Sequence, residues 1–356
     1  MDNEKIIYMD CRTYVRRRPV IFIGKPGSGS DEYDGLYYLL KEIIDNAIEE
    51  YQICIGKKIE INISDRGEVS VRDYGHGIPM HEIIKVATFD SRKGLCDYPS
   101  KKSYHSIRFF GGIGLKVVNV LSSQMEIISN CCNQTIKANF ERGVLLTEQK
   151  DCSIDGGEGT LVKFIPDSEI FGEFSFKQEI VKQIIKEYTY LNAGLEIVYN
   201  GEKYISCEGV KDLLKEKLNS NSVYPIIHLE GENIEIAFTH TKEDSEEIYT
   251  YVNGHFTKIG GTHLTAFYEH LYRIVNLLSN KNFSKDYFYQ NIKAVVSIRI
   301  LDPIFSDSIK WNLASTHIAE DSQVTVDEFI ENFLKKELSL FYKKNPDVIN
   351  KLVKLI

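Results

Sequence analysis

The stretch Leu39-Leu40-Lys41-Glu42-Ile43-Ile44-Asp45-Asn46-Ala47-Ile48-Glu49-Glu50 decides how the rest of the chain is read. Leu39, Leu40, Ile43, Ile44, Ala47 and Ile48 recur at steps of three and four, the spacing of an amphipathic helix. Glu42 and Asn46 stand four apart and therefore share one face of that helix. A carboxylate one turn before a carboxamide, set among core residues, suits chemistry as well as structure. Glu42 can take a proton from water, and the Asn46 oxygen can hold a hard cation such as Mg²⁺. The same pair also fits a partly solvated helix edge, and the helix alone does not choose between the two.

A length of 356 residues suggests two domains. Hydrophobic content of 43% and charged content of 26% are those of an ordinary globular chain. The opening Met1-Asp2-Asn3-Glu4-Lys5 is charged and leads into no apolar core, so no secretory signal is expected there. No apolar run approaches the roughly 18 residues of a membrane span, so no membrane partner is expected and the cytoplasm is the expected location. Seven cysteines, scattered except for Cys131-Cys132, form neither a disulfide framework nor a zinc spacing. A net charge of -8 excludes a surface that binds nucleic acid everywhere, so any DNA contact needs a local basic patch. Arg16-Arg17-Arg18 is one candidate, with a locally paired or solvated face as the alternative.

Around the central helix the chain alternates between strand and loop. Residues 11–24 end in a short apolar segment stopped by Gly24, and Lys25-Pro26-Gly27-Ser28-Gly29-Ser30 follows as a turn. Lys58 to Ile63 alternates as a strand, and so does Glu68 to Asp73. The second strand runs directly into Tyr74-Gly75-His76-Gly77-Ile78-Pro79, which sets Asp73 at a strand end beside a glycine-broken loop. Such a loop lets a ligand approach the backbone closely, and Asp73 can accept a hydrogen bond from an amino group such as that of adenine. Ser91 to Phe110 reads as a polar, irregular loop leading into Gly111-Gly112-Ile113-Gly114-Leu115-Lys116. Glycines opening an apolar helix make a phosphate cradle, through free N–H groups and the helix dipole. The spacing is that of neither a Walker A loop nor a dinucleotide fingerprint. Further strands are expected at Met125–Ser129, at Thr135–Phe140 and at Gly159–Asp167.

From about Phe174 the texture changes. A helix over Lys177 to Thr189 and the segment Gly194 to Gly201 mark a boundary, dividing the chain into 1–192 and 193–356. The second part centres on Tyr251-Val252-Asn253-Gly254-His255-Phe256 and on Gly260-Gly261-Thr262-His263, which opens a helix to about Leu278. A strand at Ala294–Ile300 precedes Asp302-Pro303-Ile304-Phe305, which continues to Lys310, and terminal helices close the chain.

The carboxylate-and-amide helix, the Asp-x-Gly-x-Gly-Ile-Pro turn, the glycine-rich lid and a Gly-Thr strand occur in one order over about 120 residues. This order resembles the Bergerat-type ATP-binding fold, the GHKL superfamily of gyrase, Hsp90, histidine kinases and MutL. Val15-Arg16-Arg17-Arg18-Pro19 with Ile23-Gly24, Val118-Asn119-Val120-Leu121-Ser122, Gly260-Gly261-Thr262-His263 and Asp302-Pro303 through Lys310 narrow the likeness. Together they resemble the ATPase component of bacterial type IIA DNA topoisomerases, the gyrase B and topoisomerase IV B proteins. The last two segments count against a MutL-like or Hsp90-like ATPase.

The resemblance implies an α+β fold: an ATP-binding α/β sandwich over 1–192, followed by a smaller transducer domain of ribosomal S5 domain 2-like type over 193–356. It implies that Glu42 is the general base, that Asn46 holds Mg²⁺ and the phosphates, and that Asp73 reads the adenine amine with Thr160. Gly75, Gly77, Ile78 and Pro79 shape the adenine pocket, and Gly111, Gly112 and Gly114 cradle phosphates. Lys310 reaches the γ-phosphate and completes the catalytic set with Glu42. The chain departs from the family pattern at several points. His105 stands where the lid carries a lysine, and Arg108-Phe109 replaces the first glycine pair, so Lys116 or Arg108 supplies the missing cation. Ser308-Ile309-Lys310 keeps only the lysine of its loop, His76 replaces an arginine and Tyr38 a histidine.

The implied function is an ATP-hydrolysing gate that forms a homodimer on ATP and captures double-stranded DNA. TOPRIM and cleavage domains would come from a partner protein in trans. The altered lid opens an alternative, an ATP-responsive dimerising clamp with little hydrolysis.

Overall fold

The computed structural model describes residues 9–52, 56–90, 113–150, 157–243, 245–307 and 309–355. The chain divides into two compact units. The first runs to Lys186 and takes back Leu195–Ile205; the second holds Glu187–Gly194 and continues from Ser206.

The first unit begins with helices α1 (Cys11–Arg17), α2 (Val20–Ile23) and α3 (Gly35–Gln52), then strands β1 (Lys58–Ile63) and β2 (Val69–Asp73). Helices α4 (Ile83–Ala87) and α5 (Gly114–Val120) precede strands β3 (Ser122–Cys131), β4 (Gln134–Glu141), β5 (Val144–Lys150) and β6 (Gly159–Pro166). Helices α6 (Ser168–Phe171) and α7 (Gln178–Leu191) lead to strands β7 (Glu196–Tyr199) and β8 (Glu202–Tyr204). The eight strands form one sheet in the order β5-β4-β3-β6-β2-β1-β7-β8. All neighbours are antiparallel except β7 on β1, where Ile59 faces Ile197. Because β7 and β8 complete this sheet, they stand with the first unit, whereas the division at 192 puts them in the second part.

Alternation along the strands gives the sheet two unlike faces. Ile59 and Ile61 of β1, Met125 and Ile127 of β3, and Val162 and Phe164 of β6 are buried. Helix α3 packs over β2 and β6, and α5 over β3 and β4. The opposite face carries charge: Glu126 lies 2.5 Å from Lys137 and 3.1 Å from Lys163, across three strands. One helical layer on one sheet is the expected α/β sandwich.

The arginine run divides its roles. Arg17 and Arg18 are exposed, whereas Arg16 donates to the Val120 carbonyl at 2.9 Å and to Asp167 at 2.7 Å. Arg142 reaches the same Asp167 oxygen at 2.7 Å. Burial pushes the Asp167 carboxyl up, but hydrogen bonds from Arg142, the Glu169 N–H and Arg16 outweigh it and hold the group below its ordinary 3.8. That stabilisation is present above the unfolded value and is lost as pH falls through the folded one. Asp167→Ala should therefore lower unfolding stability by about 3 kcal/mol at neutral pH and by little in acid. Urea titrations at the two pH values read the difference, and equal losses would contradict the ion-pair account.

The second unit holds α8 (Val210–Lys217), β9 (Ile227–Gly231), β10 (Ile234–His240), β11 (Glu247–Val252), β12 (His255–Phe256) and β13 (Gly260–Gly261). After these come α9 (Thr262–Ser279), α10 (Lys285–Gln290), β14 (Ile292–Ile298), β15 (Asn312–Leu313), α11 (Val326–Lys344) and α12 (Pro346–Leu355). Five strands form a sheet in the order β12-β11-β14-β10-β9, with β11 and β14 parallel. Helices α9 and α11 pack together and share one core with the sheet through Phe267, Leu271, Ile330 and Leu334. Leu213 and Leu214 of α8 share another with Ala237, Tyr251 and Val295. With both faces covered, every residue of β14 is buried, so the consecutive apolar Ala294, Val295 and Val296 at its centre replace the alternation of a half-exposed strand.

Candidate functional site

Helix α3 carries three polar residues on one face, Glu42, Asn46 and Glu50, each one turn from the next. Eight residues of helix separate the two acids by about 12 Å. Glu42 is buried, and the Tyr38 hydroxyl, one turn earlier, hydrogen-bonds its carboxylate. Burial first, and then the Glu42 charge, raises the Tyr38 phenol well above its ordinary value, so the hydroxyl stays protonated and donates. At the same end of the face, Gly114 opens α5. A Cβ there would stand 1.6 Å from Glu42 Oε2, so only glycine lets the helix start against this carboxylate. Asn46 is exposed, and its side chain makes no hydrogen bond to any described residue. At the far end, Glu50 Oε2 accepts from the His76 N–H at 2.9 Å and lies 3.2 Å from His76 Nδ1.

Asp73 closes this far end. Its Oδ1 accepts from the N–H groups of Gly75 at 2.9 Å and Thr160 at 3.1 Å, which ties the end of β2 to β6. Among the described residues no group donates to Oδ2, and the Thr160 hydroxyl likewise makes no bond. Burial pushes the Asp73 carboxyl up to about 6, against the pull of those two N–H groups and Arg72, with Glu50 adding to the rise. Gly77 has φ +75, and a Cβ there would stand 2.4 Å from the Asn130 carbonyl, so the loop lies directly on β3. Ser129 fastens it: its Oγ accepts from the Ile78 N–H at 2.6 Å and donates to the Ile78 carbonyl at 2.9 Å. Ile78 and Pro79 are half-buried beyond that clamp.

The structure thus gathers Glu42, Asn46, Asp73, Gly75, Gly77, Ile78, Pro79, Gly114 and Thr160 around α3 and the loop after β2. Lys116 is placed differently. It is buried, and its ammonium donates to the carbonyls of Lys85 and Thr88, which closes the C-terminal end of α4. Gly111 and Gly112, with the lid residues His105 and Arg108, lie outside the described residues. Lys310 belongs to the second unit, where its backbone has φ +62 and its Nζ lies 2.9 Å from His255 Nε2. Pairing of β13 with β15 and the bond from the Ile259 N–H to the Trp311 carbonyl, 2.9 Å, fix the segment that follows it.

Ser129, Glu50 and Arg72 also hold this region, although no motif of the sequence names them. The signal for Ser129 was a hydroxyl on the inward register of β3, between Ile127 and Cys131. Arg72 donates to the Gly157 carbonyl at 3.0 Å and stacks 5.0 Å from the Tyr74 ring, holding the loop before β6 against β2. Elsewhere, His228, Glu230 and Glu235 approach one another, as do His270, Asp327 and Glu331. Both groups are engaged internally: Glu235 accepts from His228 and from the Val210 N–H, and Arg273 bridges His270 and Glu331.

A sandwich of this topology, with an acid-and-amide helix over the strand that ends in Asp73, defines the Bergerat class of folds. Residues 31–169 match the family described as histidine kinase-, DNA gyrase B- and HSP90-like ATPase. Residues 178–356 match the DNA gyrase B family, to which the chain belongs. The DNA topoisomerase 4 B protein from Borreliella burgdorferi is 33% identical over 340 residues, covering 94% of this chain and 55% of the relative. The DNA gyrase B protein from Haloferax volcanii is 28% identical over 390 residues, covering 99% and 58%. The chain thus spans little more than half the length of these relatives. Among solved structures, the 43K ATPase domain of Thermus thermophilus gyrase B, bound to an aminocoumarin, superposes with a TM-score of 0.75. It is 25% identical, over 97% of this chain and 93% of that one. The ATPase region of Saccharomyces cerevisiae topoisomerase II shares the fold at a TM-score of 0.71 and 18% identity, over 97% and 99%.

Proposed function

We propose that the first unit binds ATP along α3, with adenine at Asp73 and the phosphates at the start of α5, and hydrolyses it. The observation that carries this reading is the single polar face of Glu42, Asn46 and Glu50, bounded by Gly114 at one end and by the Asp73–Gly75 turn at the other. Asp73 Oδ2 accepts from the adenine amine, and the Thr160 hydroxyl joins it through water. Glu42 accepts the proton of the attacking water while Tyr38 holds its carboxylate in place. Asn46 fits a magnesium ion, since its exposed amide offers a hard oxygen one turn from the acid, and the bound ion would neutralise phosphate charge. Gly111 and Gly112 would extend the cradle begun at Gly114. The role proposed for Lys310 is to read the γ-phosphate, trading its bond to His255 for a phosphate oxygen. Lys116 then serves the fold of α4 rather than the phosphates. The Bergerat part is the ATP-binding domain of the proposal and the gyrase B part its transducer.

At the level of the whole assembly, the chain acts as the ATP-operated gate of a type II topoisomerase in the cytoplasm. It dimerises on ATP, encloses double-stranded DNA and works with an A-type cleavage partner. Light scattering of the full chain with and without β,γ-imido-ATP tests the gate. The mass should double with the analogue and return on its removal; an unchanged mass would overturn the proposal.

A further inference from the structure

The proposed chemistry uses neither of the adjacent cysteines at the β3–β4 turn. Cys131 ends β3 and is buried, Cys132 is exposed, and their sulfurs stand 3.4 Å apart. Cys132 and Asn133 have φ +55 and +60, two successive left-handed residues that form the tight turn joining the strands. Cys131 is paired in register with Gln134 across that turn, so both thiols are carried on a rigid hairpin. A centre bonded to both sulfurs at about 2.3 Å spans their separation when the angle between the bonds is about 95°. That is the shape of a three-coordinate pyramidal centre. A disulfide would instead require the sulfurs to close to roughly 2.05 Å. Burial, and then Cys132, push the Cys131 thiol up to about 11, which disfavours the free thiolate that disulfide exchange needs.

We propose that Cys131 and Cys132 form a chelating dithiol site for a trivalent arsenical, and that loading this site weakens nucleotide binding next to it. In the loading step the As=O bond and both S–H bonds break and two As–S bonds form. The oxygen leaves as water carrying the two thiol protons, and arsenic stays trivalent, so no oxidant is needed. The link to the nucleotide runs along β3. Ser129 clamps Ile78, and the Asn130 carbonyl lies against Gly77 while the Asn130 amide donates to the Gly157 carbonyl at 3.0 Å. An arsenic centre bridging the next two residues would lock this edge of the loop that Asp73 opens against the adjustment a nucleotide needs. This second half of the proposal rests on the ATP reading above; the first half does not.

The test uses the full chain and phenylarsine oxide as the probe, with thiols counted by an aromatic disulfide reagent. One bound arsenical should protect two thiols; Cys132→Ser should lose that protection, and Cys207→Ser, another exposed cysteine, should keep it. Equal protection in Cys132→Ser would overturn the site. With the site loaded, affinity for β,γ-imido-ATP should fall at least about tenfold and recover when a small dithiol strips the arsenic. Unchanged affinity would overturn the coupling. A chain that protects two thiols but binds no nucleotide even before treatment would instead count against the ATP reading, leaving the dithiol site supported.

Discussion

Asp73→Asn should abolish tight nucleotide binding and at the same time make the protein more stable. The amide replacing Asp73 has only one workable orientation. Its oxygen must accept from the Gly75 and Thr160 N–H groups that Oδ1 now serves, because an NH₂ there would face two donors. The NH₂ then occupies the position of Oδ2 and points a donor at the donating adenine amine. Losing a charge-assisted bond and leaving donors opposed should weaken ATP binding by about a hundredfold or more. Stability moves the other way. The folded carboxyl titrates at about 6 and its ordinary value is 3.8, so the fold favours the neutral form. That advantage is complete below 3.8 and is lost as pH rises through 6, which leaves ionised Asp73 costing about 3 kcal/mol at pH 8. The variant escapes this cost at pH 8 and gains nothing at pH 3. Calorimetric binding with denaturant titrations at both values checks the pair of effects; loss of binding accompanied by loss of stability would indicate mere unfolding.

Glu42→Gln should separate binding from turnover. The amide keeps the shape that packs against Gly114 and the Tyr38 hydroxyl, but it cannot take a proton from water. Removal of a positioned general base slows a reaction about 100- to 10,000-fold, so ATP turnover should fall by at least two orders of magnitude. Affinity for β,γ-imido-ATP should change by less than about threefold, since Asp73 and the loop after it are untouched. Gly114→Ala should give a similar loss for a different reason: its methyl would sit where Glu42 Oε2 now lies and push the carboxylate out of place. Steady-state phosphate release measures both. Turnover retained in Glu42→Gln would move the base elsewhere, whereas dimerisation on nucleotide with no turnover in the unaltered chain would favour an ATP-responsive clamp.

What could be read from residue order was local. The three- and four-residue steps from Leu39 to Ile48 mark the helix now seen over Gly35–Gln52, and alternation marks β1, β2 and β6. The place of Asp73 at a strand end was legible because the strand pattern stops at an acid followed by a glycine-broken loop. Lys116 shows where such reading stops. Beside a glycine cradle in sequence it looks like a phosphate ligand, yet the carbonyls that take its ammonium belong to α4, some thirty residues away. Ser129 and Glu50 were invisible for the same reason: each acts on the loop after β2 from another element, and only pairing of distant segments brings them there. Strand β5 escaped notice because, as an exposed edge strand, it lacks a buried face and so lacks alternation. The tie from β7 to β1 was likewise beyond reach, since parallel pairing after a helix leaves no mark in either strand alone.

The account rests on Asp73 as an acceptor that selects an amino group, and a comparison of ATP with ITP measures this most directly. The two nucleotides differ where inosine carries a carbonyl in place of adenine's amine, so phosphates, ribose and magnesium are held constant. By titration calorimetry at pH 8, ATP should bind at least about a hundredfold more tightly than ITP, because a carbonyl facing ionised Asp73 is repelled and leaves the carboxylate unsatisfied. Equal affinities would mean that Asp73 does not read the base, and the nucleotide site would have to be sought elsewhere.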